Sequence, residues 1–154
     1  MVATHPASGI GAAAIAQDLF TVLHRLGLAA PQRRRPGDLK EMEYLTLALL
    51  QGKGTMIVGD IQRLLGVLPA QMSRIIRALE DRERSLITCH INSRDKRKVD
   101  VQLTPAGQKA LQEYQADRVS SIATALKGLS DDALVDISRL LDRLRDRLVL
   151  RESV

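Results

Sequence analysis

Aromatic residues are nearly missing from this chain. Its 154 residues include one Phe, two Tyr and no Trp. Single-stranded nucleic acids are gripped by stacking bases on aromatic rings, so that function is disfavoured. A core without rings must be built from Leu, Ile, Val and Ala, which suits helices packed on helices. Cys89 is the single cysteine, so no intrachain disulfide can form. No apolar run reaches the roughly 18–20 residues that span a bilayer. The N-terminal MVATHPASGIGAAA lacks the positive leader and long apolar stretch of a signal peptide. A cytoplasmic location, with no membrane partner, is expected by elimination. There is no glycine-rich phosphate loop after a strand, no G-x-S-x-G elbow and no metal-protease helix motif, so no enzyme is expected. His5, His24 and His90 lie far apart, and with one cysteine they are a weak basis for a metal site. No metal and no cofactor are expected. The adjacent carboxylates Glu80-Asp81 and Asp131-Asp132 point in different directions on a helix and read as solvated charge or helix-dipole partners.

What is present is apolar residue, at 45%, and an excess of positive charge, at +5. Such a chain can build a core and is not intrinsically disordered. The placement of the charge is more informative than its total. Residues 1–50 carry 5 Lys/Arg against 4 Asp/Glu, and residues 105–154 carry 8 against 8. Residues 51–104 carry 10 against 6, so the excess sits in the middle of the chain. A phosphate backbone would attract such a segment.

Residues 1–8 read as a loose arm. Ile10 to Leu28 reads as a helix with Ile15, Leu19, Val22, Leu23 and Leu26 on one face, ended by Gly27 and Pro31. A connector with Arg33, Arg34 and Arg35 leads to a second helix, Leu39–Leu50. After a turn at Gln51–Thr55 comes a short helix, Val58–Leu65, a Gly66 turn, and a helix from Pro69 to Arg82. Leu68 precedes that helix and offers no capping hydroxyl. Two β-prone runs, Leu86–Ile91 and Val99–Leu103, flank a charged tip, Asn92–Lys98. Thr104 caps, and Pro105 opens, a helix running to about Lys127. Gly128 stops it. Ser130 caps a last helix, Asp131–Leu150, with Leu134, Ile137, Leu140, Leu141, Leu144 and Leu148 at steps of three and four.

The order from Val58 to Leu103 is that of a winged helix-turn-helix, in which one helix enters a DNA major groove and a hairpin tip lies beside it. In the helix from Pro69, Met72, Ile75, Ile76 and Leu79 would pack inward. Ala70, Gln71, Ser73, Arg74 and Arg77 occupy the remaining surface. Gln can pair with adenine edges and Arg with guanine O6 and N7, while small residues let the helix come close to the groove. At the tip, Arg94, Lys96, Arg97 and Lys98 surround one carboxylate, Asp95. An arginine there suits the negative potential of a narrow minor groove, and Asp95 could fix the rotamer of Arg97. The plainer alternatives are a solvated helix face and a polar turn.

The first and last two helices flank this module, each with a long apolar stripe. They would form either an intramolecular bundle or a dimer interface, and a reader of duplex DNA gains from touching two half-sites one turn apart. The expected fold is therefore mainly α: a winged helix-turn-helix with a two-stranded wing at 36–104, and a helical dimerisation region at 9–30 and 105–150. The alternative is a winged-helix module that binds a protein partner and does not read DNA.

About 50 residues resemble the multiple antibiotic resistance regulator (MarR) family of bacterial transcription factors. VGDIQRLLGV matches the first helix-turn element, MSRIIRALE the recognition helix, and DKRKVDVQLTPAG the family's D-x-R wing followed by L-T-x-x-G. The link EDRERS before Leu86 is longer than in the family pattern and lacks its glycine. The resemblance implies a homodimer bound to a pseudo-palindromic duplex, usually as a repressor. It puts Arg97 in the minor groove and Gln71, Ser73, Arg74 and Arg77 on the groove-facing helix. It also implies release by a small-molecule effector or by cysteine oxidation. Cys89 lies in a wing strand, and not in the N-terminal helix where the family's peroxide-responsive branch carries its cysteine. There it reads as a small hydrophobe more readily than as a sensor.

Overall fold

The computed structural model describes residues 11–29 and 36–152. The N-terminal arm and the triple arginine of the first connector lie outside them. The elements, in chain order, are α1 (Ala12–Ala29), α2 (Glu41–Lys53), β1 (Met56–Ile57), α3 (Val58–Leu65), α4 (Pro69–Glu80), β2 (Ile87–Ile91), β3 (Val99–Leu103), α5 (Pro105–Leu126) and α6 (Asp131–Glu152). The chain is mainly α and carries the expected winged helix-turn-helix. Gly27 does not end α1, which continues to Ala29; a single helical glycine costs only about 1 kcal/mol relative to alanine.

Contacts divide the chain into two units. One joins Met1–Gln32 to Val119–Val154, and the other is Arg33–Arg118. The division falls within α5.

All the buried hydrophobic residues of the described chain belong to the second unit. Leu47 and Leu50 of α2, Ile61 of α3, and Met72, Ile75 and Leu79 of α4 meet Leu86, Ile87, Val101 and Leu111. In α4 the buried positions are spaced by three and four, and Ile76 packs at the margin of the core. α3 stops at Gly66, whose φ of 65° and ψ of 30° place it in the left-handed region that glycine tolerates. α4 begins from extended Leu68 with Pro69 in its first turn and no side-chain cap.

The sheet has one strand more than the expected wing. β2 and β3 form the hairpin, with Ile87 opposite Leu103 and Ile91 opposite Val99. β1 adds to the far edge of β3 through Met56 and Ile57, giving the order β1-β3-β2. The two residues of β1 have no periodicity of their own; they become a strand only by pairing with Val101 and Asp100.

The start of α5 is locked onto the wing. Thr104 Oγ1 accepts the Gly107 N–H at 3.0 Å and donates to the Ser85 carbonyl at 2.7 Å. A Cβ at position 107 would lie 2.0 Å from the Leu86 carbonyl oxygen, so only glycine fits there. Ser130 caps α6 through the Ala133 N–H at 3.3 Å.

Candidate nucleic-acid interface

Burying Met72, Ile75 and Leu79 turns the other side of α4 to solvent. Ala70, Gln71, Ser73, Arg74 and Arg77 are all exposed there. In the wing, Arg94, Lys96, Arg97 and Lys98 are exposed, and Asp95 is half-buried. A concave groove of about 900 Å³ brings part of the two sets together. Ser73 and Arg77 line it from α4, Arg97 and Lys98 from the wing, and Asp60 and Arg63 from α3. Ala70, Gln71 and Arg74 lie outside this groove on the exposed surface of α4, and Arg94, Asp95 and Lys96 lie outside it on the tip.

The tip is ordered by its own side chains. Asp95 Oδ1 accepts the Arg97 backbone N–H at 3.1 Å and the Arg97 Nε–H at 3.3 Å. The sequence anticipated this pairing. It did not single out Asn92, whose side-chain oxygen accepts two backbone N–H groups of the tip. Asn at the start of a polar turn was the available signal.

A second omission lies behind α4. Arg82, in the long link, donates to Glu43 Oε2 at 3.0 Å and to the Gly37 carbonyl. The same carboxylate oxygen accepts the Lys40 N–H at 3.1 Å. Ser85 Oγ donates to the Glu80 carbonyl at 2.6 Å, and the Leu86 N–H to Leu79. These bonds take up the added residues without the glycine of the family pattern.

Cys89 is half-buried and lines the groove. Burial pushes its thiol above the ordinary value, and the negative charge of Glu80 adds to the rise. The neighbouring cations of the tip do not reverse that. Among the described residues no group of three His, Cys, Asp or Glu could hold a metal ion. No helix among them is long and apolar enough to cross a membrane.

The family model of the MarR family matches residues 39–99, from the approach to α2 through the wing tip. The match covers 61 of the 154 residues, so this part of the chain is similar to the MarR family. Members of this family are transcription regulators. The fold is shared with solved structures of low sequence identity. YusO from Bacillus subtilis is 21% identical, with a TM-score of 0.67 over 87% of this chain and 94% of that one. Wild-type MarR from E. coli in its apo form is 17% identical, with a TM-score of 0.72 over 84% and 95%. BpsR from Bordetella bronchiseptica is 22% identical, with a TM-score of 0.60 over 85% and 98%; its DNA binding is regulated by 6-hydroxynicotinic acid. No curated protein sequence matches the chain.

Proposed function

We propose that this protein is a MarR-family regulator: a homodimeric, sequence-specific reader of double-stranded DNA in the cytoplasm, acting as a repressor on a pseudo-palindromic operator. The observation that carries the reading is the groove in which Ser73 and Arg77 of α4 meet Arg97 and Lys98 of the wing. Gln71, Arg74 and Arg77 would read base edges in the major groove, with Ala70 and Ser73 permitting close contact. Arg97 would enter the flanking minor groove, and Arg94, Lys96 and Lys98 would meet phosphates. Asp95 serves as the anchor for Arg97.

Dimerisation is supported by the terminal helices. No described residue of α1 or α6 is buried. Among the described residues, every exposed large hydrophobic residue apart from Leu64, Leu68 and Ile91 belongs to the unit built from the chain ends. Two copies covering these faces would fix the spacing of two recognition helices. A small-molecule effector that changed this spacing would release DNA, since a two-fold reader tolerates little error in half-site distance. BpsR offers the parallel of a small aromatic acid regulating DNA binding.

The test is selection of duplexes from a random pool by the purified protein, with the winners' affinity followed against salt. An enriched inverted repeat is expected. Steep salt dependence without enrichment would mean a nonspecific basic binder. No retention at low salt would favour a protein-binding module.

A further inference from the structure

The cations of the wing tip stand on a loop organised by one uncharged side chain. Asn92 closes the hairpin by donating its backbone N–H to the Lys98 carbonyl at 2.9 Å. Its side-chain oxygen accepts the N–H groups of Arg94 and Asp95, both at 2.9 Å. Its side-chain nitrogen donates to Asp100 Oδ1 on β3, also at 2.9 Å. Asp95 then closes the loop a second time, its carbonyl accepting the Lys98 N–H at 2.9 Å. Its carboxylate holds Arg97 through the backbone N–H and Nε. A continuous chain of hydrogen bonds thus runs from the sheet to the guanidinium: Asp100, Asn92, Asp95, Arg97.

The residue type at each link follows from its bonding capacity. Position 92 must accept two N–H groups and donate to a carboxylate, and an amide side chain does both. An aspartate there would accept as well but would face Asp100 as a second negative charge. Arg97 itself is 92% exposed and has no packing to hold it. Its orientation depends on Asp95, and Asp95 depends on Asn92. An arginine already held in its binding geometry loses less rotamer freedom on contact with DNA than a loose one.

We propose that Asn92 is the positioning residue of the wing, anchored by Asp100, and that it sets the geometry in which Arg97 meets DNA. This rests on the DNA-reading function proposed above. Asn92 carries no charge, so its removal leaves the long-range attraction to phosphates unchanged.

The test uses the full chain and the duplex recovered from the random-pool selection. Arg97→Ala is expected to weaken binding about tenfold. Asn92→Ala should lose most of that factor with an unchanged salt slope. Adding Arg97→Ala to Asn92→Ala should then cost less than about twofold more, because both act through one contact. Asn92→Asp should bind poorly, while Asn92→Asp combined with Asp100→Asn restores a donor facing an acceptor and should recover binding. Thermal melting of each variant separates loss of the wing geometry from loss of the fold. Wild-type affinity for Asn92→Ala, losses that multiply in the double variant, or an exchange variant that melts normally yet does not recover would overturn the positioning role alone. Failure to recover any duplex would overturn the DNA-reading function and this role with it.

Discussion

Glu43 carries its carboxylate into the core of the winged helix-turn-helix, where its side chain is only 6% exposed. A buried charge is tolerable only when paired and hydrogen-bonded. Arg82 supplies the pair, and the Lys40 N–H supplies a further bond. Removing Arg82 would leave the carboxylate uncompensated. Arg82→Ala should therefore destabilise the domain by about 3–5 kcal/mol, against about 1 kcal/mol or less for an exposed pair such as Asp142–Arg145. Urea unfolding of Arg82→Ala and Arg145→Ala makes the comparison; equal losses would refute the special status of Arg82. The sequence did not mark this pair, since Glu43 and Arg82 are far apart in the chain and each looks like ordinary helix charge. Cys89 is a different case, because its residue type and strand position already suggested a small hydrophobe. The structure adds the sign of its ionisation. A raised thiol pKa leaves less thiolate at neutral pH, and thiolate is the nucleophile. Alkylation of Cys89 should be slower than that of an unstructured thiol at the same pH. Its rate should climb only as pH passes above the ordinary thiol range. Glu80→Gln removes one of the two causes and should speed the reaction; no change in rate would leave burial as the whole cause.

At the scale of elements, punctuation by proline, glycine and hydroxyl residues was readable. Gly66 ends α3, Pro69 opens α4, Thr104-Pro105 opens α5 and Ser130 caps α6, as expected. Each of these signals is local, so the sequence contains it. β1 and the Asn92–Asp100 link were not readable in the same way, because each exists only through a partner across the sheet. Of the candidate interface, the solvent-facing side of α4 followed from the spacing of its apolar residues. The groove that joins Arg77 to Arg97 needed the three-dimensional placement of the hairpin. α4 also shows a local signal left unsatisfied. Leu68 stands at its cap position, 74% exposed and with no side chain able to accept an N–H. Leu68→Ser should raise stability by about 1 kcal/mol. Its backbone is already extended, with φ −72° and ψ 152°, which suits a capping serine. Urea midpoints of the two proteins test this. A lower midpoint would mean that the leucine makes a contact that matters more than the missing cap.

The whole molecule contrasts one unit with a core against another in which no described apolar residue is buried. Ile15, Leu19, Phe20 and Leu23 of α1 and Leu140, Leu141, Leu144 and Leu148 of α6 are all exposed. Phe20 apart, the hydrophobic periodicity predicted these stripes, but periodicity cannot say whether a stripe is covered within one chain or by a second. Their exposure in the single chain bears on that choice, since an intramolecular bundle would already have buried them. Patches of this kind on a protein surface mark interaction sites, and on both chain ends they suit a partner of the same kind. The two possibilities predict opposite responses to charge. If Leu144 stayed exposed, a Leu144→Asp change would shift stability by about 0.5 kcal/mol or less. If it is buried between two copies, the same change places an unpaired carboxylate in an apolar interface and drives dissociation. The expected result is a protein of dimer mass in wild type and of monomer mass in Leu144→Asp, measured by light scattering at micromolar concentration. A melting temperature that rises with protein concentration in wild type, and not in the variant, should accompany it. The monomer should also lose the advantage of two linked half-sites, so its affinity for an inverted repeat should fall to that for a single half-site. An unchanged dimer mass in Leu144→Asp, together with full affinity for the repeat, would place the dimer contact away from this part of α6.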